Sequence, residues 1–314
     1  MTIAWLFPGQ GAQSVGMGKD ILAASAAARA VFQRVDAALG EPLSNVILEG
    51  PEALLTLTAN AQPAIVATST AVLAAIRERV PELGLPAFVA GHSLGEYSAL
   101  VAAHALSLED AVRLVRARGR AMQDAVPAGA GAMSAIMGIE PARLEAICCA
   151  AAQGEVVSTA NFNAPGQVVI AGHAAAVGRV GDLVAREKGR AVALKVSAPF
   201  HCALMAPAAR ALARELETVA VSPPRFPIVA NFDARPNAKA DRVKDLLVRQ
   251  VDGAVRWEES IRTMVERGVT HALEIGPGKV LAGLVKRIAK DVKVLSVGDI
   301  DALGQVAAFL REAC

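Results

Sequence analysis

Aromatic side chains are scarce in this chain, at 4% of residues, and charge is nearly balanced, with a formal net charge of +2. The first shortage argues against a surface built to stack on nucleic-acid bases. The second removes any global electrostatic reason to bind nucleic acid or a membrane. The cysteines are Cys148, Cys149, Cys202 and Cys314, with no CxxC pair and no metal-ligand spacing. Structural disulfides and metal sites are therefore not expected, and a reduced, cytoplasmic setting is. No apolar run approaches the roughly 18 residues that a membrane helix needs. The opening MTIAWLFPGQG has no basic segment and is broken at Pro8 and Gly9, so it does not read as a signal peptide. Phosphate loops are missing too. GQGAQSVG places Ser14 where a dinucleotide fingerprint needs its third glycine, and no GxxxxGK followed by Ser or Thr occurs.

What the chain does have is apolar bulk. Its 314 residues are 54% hydrophobic and 20% charged, enough for a full core and about two domains. Ile3 to Phe7 reads as a buried strand closed by the PGQG turn. Residues 20 to 80 read as helical, with Pro63 marking a break. Phe88 to Ala90 ends a second strand, and a helix begins at Ser107 with Asp110 completing a capping box. From residue 128 the rhythm changes to β-α-β-β-α-β, the ferredoxin-like order. The expected architecture is α/β. A large α/β-hydrolase-like domain with a parallel sheet spans 1–127 and 198–314, and an inserted ferredoxin-like domain spans 128–197. Beyond it, strands are expected at Pro227 to Asn231 and His271 to Ile275. Helices are expected at Asp241 to Gln250, at Glu258 to Arg267 and from Gly278.

The stretch AGHSLGEYSAL, residues 90–100, carries the chemistry. Ser93 sits between Gly91 and Gly95, after an apolar strand and before a helix-forming run. That context is the nucleophile elbow, in which a tight turn exposes a serine hydroxyl at a helix N-terminus. Free backbone N–H groups there can stabilise an oxyanion. A serine nucleophile needs a base, and the chain holds five histidines: His92, His104, His173, His201 and His271. His92 should diverge from its neighbour, while His201 lies in a loop that could overhang the elbow. Spacing alone does not choose among them. On the helix from Ser107, Arg113, Arg116 and Arg120 share one side, whereas Arg118 falls within the apolar stripe. A guanidinium facing a core requires a partner, either an internal carboxylate or the carboxylate of a ligand.

Six ordered segments then carry a resemblance. FPGQGAQ (7–13), GHSLGEYSALVAA (91–103), RGRAMQ (118–123), NFNAPGQVVIAGH (161–173), PFHCALM (199–205) and EIGPGKVL (274–281) together resemble the malonyl-CoA:acyl carrier protein transacylases of fatty-acid synthesis. The likeness spans essentially the whole chain. It implies that Ser93 is acylated, that His201 is its general base and that Gln250 orients the histidine. It further implies that Arg118 grips the malonyl carboxylate, with backbone N–H groups of Gln10 and Leu94 as oxyanion hole. Gln62 and Asn161 match polar residues lining the family's site. Phe200 replaces a serine found in several relatives, which favours malonyl over methylmalonyl. VDGAVRW, around Ala254, lacks a proline that relatives often have. The implied reaction is ping-pong transfer from malonyl-CoA to the pantetheine thiol of acyl carrier protein, with neither metal nor cofactor. A monomer is expected, its basic residues Lys279, Lys286, Arg287 and Lys290 facing the acidic carrier.

Three rivals accompany that reading. Asp252-Gly253-Ala254 fits the short motif of patatin-like hydrolases, which pair serine with aspartate, although their glycine-rich oxyanion loop is missing. A non-catalytic scaffold in a synthase complex is a second. A stand-alone acyltransferase that loads a polyketide synthase carrier is the third.

Overall fold

A computed structural model of the chain describes residues 2–81 and 83–312, so Cys314 lies outside the described residues. The first half runs β1 (Thr2–Phe7), α1 (Lys19–Ala24), α2 (Ala26–Leu39), α3 (Leu43–Glu49), α4 (Glu52–Leu55) and α5 (Thr58–Arg79). It continues with β2 (Phe88–Gly91), α6 (Gly95–Ala102) and α7 (Leu108–Asp124). Next come β3 (Gly131–Met137), α8 (Pro141–Ala152), β4 (Val157–Ala164), β5 (Gln167–His173), α9 (Ala174–Arg186) and β6 (Arg190–Ala193). The remainder is α10 (Ala206–Glu217), β7 (Ile228–Val229), β8 (Pro236–Asn237), α11 (Ala240–Asp252) and α12 (Trp257–Glu266). It closes with β9 (Val269–Ile275), α13 (Val280–Ile288), β10 (Lys293–Val297) and α14 (Ile300–Glu312).

The strands form two sheets. Six of them order as β10-β9-β1-β2-β7-β8, parallel except for the last pair. β1 shows why this sheet is buried on both faces. Trp5 and Phe7 point into one apolar cluster, with α2, α5 and α7, while Ala4 and Leu6 point into another, with α12 and α13. The other four strands order as β4-β5-β3-β6, every pair antiparallel, with α8 and α9 packed on a third cluster. This smaller sheet is tied to the larger body beside the elbow. Phe162 N–H donates to the Val255 carbonyl at 2.9 Å, and Val255 N–H donates to that of Ala160 at 2.9 Å.

Several local expectations change. Pro63 does not end a helix but sits within the early turns of α5. The breaks before it fall at Ser25, Gly40, Pro51 and Leu57, where caps and turn residues interrupt the ladder. α5 is also long and apolar enough by composition to cross a membrane, but 78% of its apolar window is buried inside the protein. It is the central core helix. α10, β10 and α14 lie where no element was expected. The Ser107 cap holds as read, its Oγ accepting from Asp110 N–H at 3.0 Å. Arg116 is buried rather than solvated. Its guanidinium pairs with Glu41 and Asn60, which the helix periodicity of α7 alone could not reveal.

The elbow is where close packing is least forgiving. A Cβ on Gly95 would stand 2.3 Å from the Phe7 carbonyl oxygen and 2.7 Å from that of Pro8. Both are backbone atoms, at the end of β1 and just beyond it, and cannot rotate away. Gly95→Ala should therefore cost about 4 kcal/mol or prevent folding, read by thermal or urea melts. Gly178→Ala in α9, where an added Cβ meets nothing within 4 Å, should be neutral or stabilise by up to about 1 kcal/mol.

Candidate active site

β2 enters the centre of the parallel sheet and its chain turns sharply into α6. Ser93, at the corner, takes a left-handed conformation with φ of 51°. A non-glycine residue holds that conformation only when its surroundings impose it. Asn231, fully buried just beyond the adjacent strand β7, does so from both sides. Its Oδ1 accepts from Ser93 N–H at 2.6 Å, and its Nδ2 donates to the Gly91 carbonyl at 2.7 Å. Gly91 is required too, because a Cβ there would lie 2.0 Å from the Gly95 carbonyl. Sequence reasoning missed Asn231. The available signal was its place at the end of the expected strand Pro227 to Asn231.

His201 reaches this serine from the loop before α10, itself with a φ of 61°. Its Nε2 lies 2.8 Å from Ser93 Oγ, and its Nδ1 lies 2.8 Å from the Gln250 carbonyl oxygen. A carbonyl can only accept, so Nδ1 carries the proton and Nε2 is left to accept from the serine hydroxyl. Burial, with the nearby Arg118 cation, pushes His201 down to about 3, so its imidazole is neutral. Gln250 thus orients the histidine through its backbone, whereas its side chain serves elsewhere. The other histidines stand apart. His92 Nε2 pairs with Asn163 Oδ1 at 2.8 Å, and His173 Nδ1 accepts from Val156 N–H at 2.9 Å. His271 contacts the Thr270 hydroxyl at 3.0 Å, and His104 is exposed beyond the end of α6. Cys202 is no rival nucleophile, since burial raises its thiol to about 11 and its Sγ faces the Pro199 carbonyl.

Arg118 is 2% exposed and enters the site from α7. Its Nη1 donates to Gln62 Oε1 at 2.7 Å, and its Nη2 donates to Gln250 Oε1 at 2.9 Å and Ser93 Oγ at 3.2 Å. Its Nε has no acceptor, and the guanidinium carbon lies 6.0 Å from the centre of the Tyr97 ring. Among the described residues no carboxylate forms an ion pair with it, in contrast to Arg116 and Glu41. The nearest acid is one amide removed. Gln250 Nε2 donates to Glu96 Oε2 at 2.8 Å, and Asn231 N–H donates to the same oxygen at 2.9 Å. Burial raises the Glu96 carboxyl to about 7. Sequence reading passed over Glu96 because it sits in the elbow motif as an ordinary helix former.

Ser93, His201, Gln10, Asn161 and Phe200 line one cavity of about 220 Å³ between the two sheets. No acceptor faces the backbone N–H of Gln10 or Leu94 among the described residues. Leu94 follows Ser93, at the N-terminus of α6. The Gln10 side chain is tethered instead to Thr58 Oγ1 at 3.2 Å. Arg118 and Gln62 lie outside the cavity lining, Arg118 reaching it through Ser93 Oγ and Gln62 held on Arg118. Asp252, in the patatin-like triplet, makes no hydrogen bond to Ser93, whose hydroxyl is held by His201. Of the four basic residues near α13, Lys279 caps its start and Lys290 lies beyond its end, so they do not share one helical face. Arg287 is engaged with Gln167 and, at 3.1 Å, the Pro165 carbonyl.

A serine presented at an elbow, a neutral histidine on its hydroxyl and unpaired amides beside it can form and resolve an acyl ester. Comparison with known proteins points the same way. Residues 4–305 match the family model described as acyl transferase domain. The chain is 46% identical over 314 residues to the malonyl CoA-acyl carrier protein transacylase of Bacillus subtilis (strain 168), covering 99% of this chain and 98% of that one. The crystal structure of the acyl-carrier-protein-S-malonyltransferase from Bartonella henselae superposes with a TM-score of 0.94 at 47% identity, each chain covered in full. A type II PKS acyl-carrier protein in complex with its malonyl-transacylase gives a TM-score of 0.93 at 43% identity, covering 98% of this chain and 99% of that one. This chain belongs to the acyl transferase family, and within it to the malonyl CoA-acyl carrier protein transacylases.

Proposed function

We propose that this enzyme transfers malonyl from malonyl-CoA to the pantetheine thiol of acyl carrier protein, through an ester on Ser93, in fatty-acid synthesis. One observation carries the choice of acyl group: a buried guanidinium, 3.2 Å from the nucleophile, whose partners are neutral. A malonyl ester places its free carboxylate two bonds from the carbonyl under attack. Arg118 can therefore hold that carboxylate while Ser93 attacks, exchanging neutral amide contacts for a charge-assisted pair.

The steps follow from the geometry. His201 Nε2 takes the Ser93 proton as Oγ attacks the thioester carbonyl, and the Gln250 carbonyl steadies the imidazolium through Nδ1. N–H groups of Gln10 and Leu94 receive the oxyanion. The proton passes to the coenzyme A sulfur, and the incoming carrier thiol repeats the sequence in reverse. This is covalent ping-pong catalysis by the chain's own residues, without metal or cofactor. Gln62 positions Arg118, Asn161 lines the acyl cavity, and the Phe200 ring crowds a substituent on the acyl α-carbon. The smaller sheet acts as an inserted ferredoxin-like domain, 128–197, that closes the cavity over the α/β-hydrolase-like body of 1–127 and 198–314. The exposed Lys279, Lys286 and Lys290, spread along α13 and beyond its ends rather than on one face, together with Arg287, draw the acidic carrier. The enzyme works as a cytoplasmic monomer.

Incubation with malonyl-CoA should add one malonyl mass to the peptide containing Ser93, and Ser93→Ala should take up none; labelling of a cysteine would refute the assignment. Arg118→Ala strands a desolvated carboxylate, which costs about 2–5 kcal/mol, tens-fold to thousands-fold in kcat/KM for malonyl-CoA. Transfer from acetyl-CoA, which has no such group, should persist. Equal losses for both thioesters in folded protein would make Arg118 structural.

The depressed His201 also sets a pH expectation. Its neutral form is the active one, so acetylation of Ser93 should not decline through the range near 6.5 where an ordinary histidine protonates. Stability behaves differently. The unfolded histidine binds a proton below about 6.5 and the folded one does not, so folding free energy is lost as pH falls from there toward 3. Acid melts of His201→Ala should show a shallower decline over that window.

A further inference from the structure

Arg118 and Glu96 form a buried pair of opposite charges separated by a single amide. The connection is directional: Arg118 Nη2 donates to Gln250 Oε1, and Gln250 Nε2 donates to Glu96 Oε2. Glu96 is 3% exposed and Gln250 is fully buried. In the empty enzyme Glu96, when ionised above neutrality, balances the guanidinium. A malonyl group on Ser93 brings a second anion against the same cation. The enclosed cluster would then hold two negative charges for one positive, in a setting where uncompensated charge is expensive. The substrate carboxylate contacts Arg118 directly, so Glu96 is the group that yields.

We propose that Glu96 takes up one proton from solvent each time malonyl is loaded onto Ser93, and releases it when the group leaves for the carrier thiol. The inference rests on the malonyl reading above. The balance is simple. The serine proton leaves through His201 on the coenzyme A sulfur, so acyl exchange itself consumes none. The additional proton converts the Glu96 carboxylate to a neutral carboxyl. Its remaining lone pairs still accept from Asn231 N–H and Gln250 Nε2, so the elbow keeps its contacts in both states.

Every charged or titratable group that faces Glu96 agrees with this direction. Arg118, on α7, favours the ionised form, and its influence is the one the substrate neutralises. Asp233, beyond β7, opposes ionisation, although Arg242 of α11 holds it at 2.9 Å. Tyr97, next on α6, is raised by burial and stays neutral, as does His201. Glu96 thus titrates near neutrality before loading and higher after it. By linkage, malonyl loading gains as pH falls toward neutrality and levels off below.

The test mixes enzyme with malonyl-CoA in weakly buffered solution containing a pH indicator, with intact-mass measurement of malonyl-Ser93 in the same samples. Acetyl-CoA controls for protons exchanged by the released thiol. Relative to that control, uptake should approach one proton per malonyl at about pH 8 and fall to about a tenth at pH 6, where Glu96 is already protonated. Glu96→Gln that carries malonyl should show none. In wild type, independent of any variant's folding, a carboxylic-acid C=O band should appear in the infrared on malonyl loading and not on acetyl loading. A malonyl adduct formed at pH 8 with uptake equal to the acetyl control overturns the proposal and leaves the malonyl reading intact. Undiminished uptake in Glu96→Gln also overturns it. No malonyl on Ser93 at all overturns both.

Discussion

The guanidinium of Arg118 is the constraint around which the rest of the site is arranged. An arginine cannot shed its charge, so a chain that buries one must supply partners for it. Here the immediate partners are two neutral amides, from Gln62 on α5 and Gln250 on α11, together with the nucleophile's own hydroxyl. A protein carboxylate in contact would have satisfied the cation more fully and left nothing for a ligand to offer. Keeping Glu96 at one amide's remove tempers the charge without cancelling it. With burial, the same cation repels a proton from His201 and holds its imidazole neutral. The proposed selectivity and nucleophile activation therefore draw on one buried charge.

Strain at the elbow is borne by the sheet rather than by the turn. Ser93 and His201 are both left-handed, and neither conformation would persist in an isolated loop. Asn231 clamps the serine by its own amide, while the Gln250 carbonyl fixes the histidine ring. Both clamps come from segments that follow β7 in the chain, some 140 to 160 residues after the elbow. The Ser93–His201 contact thus depends on segments far along the chain from the elbow.

Much of this was legible in the sequence, for physical reasons that differ by element. The elbow was readable because glycine, serine and glycine at fixed offsets admit few other turns, and β1, β2 and β9 because their apolar runs suit a sheet covered on both faces. Arg118 betrayed itself by falling on an apolar stripe. Arg116 did not, since its partner Glu41 comes from a distant loop that no periodicity reports. Pro63 misled because α5 runs on through it from its sixth residue, giving up the one ladder hydrogen bond that its nitrogen cannot donate. β10 and α14 escaped because a half-buried edge strand and a C-terminal helix give weak patterns. Resemblance placed Gln250 beside His201 without saying which of its atoms makes the contact, and that atom is the backbone carbonyl. Backbone carbonyls leave no mark on residue type.

Gln250 has a consequence for how this enzyme can change. Its carbonyl fixes the tautomer of His201, and its amide relays between Arg118 and Glu96. Its Nε2 also reaches the Ser93 carbonyl at 3.0 Å. In the proposed mechanism one residue is therefore a shared joint for turnover and for choice of acyl group. Substitutions at Arg118, Glu96 and His201 will not combine additively, because each redistributes the contacts of the same side chain or its backbone. A search for variants accepting other acyl groups by single steps meets coupled losses at this joint. Paths that change two partners together, or that reshape the cavity wall at Phe200 and leave the joint untouched, avoid them.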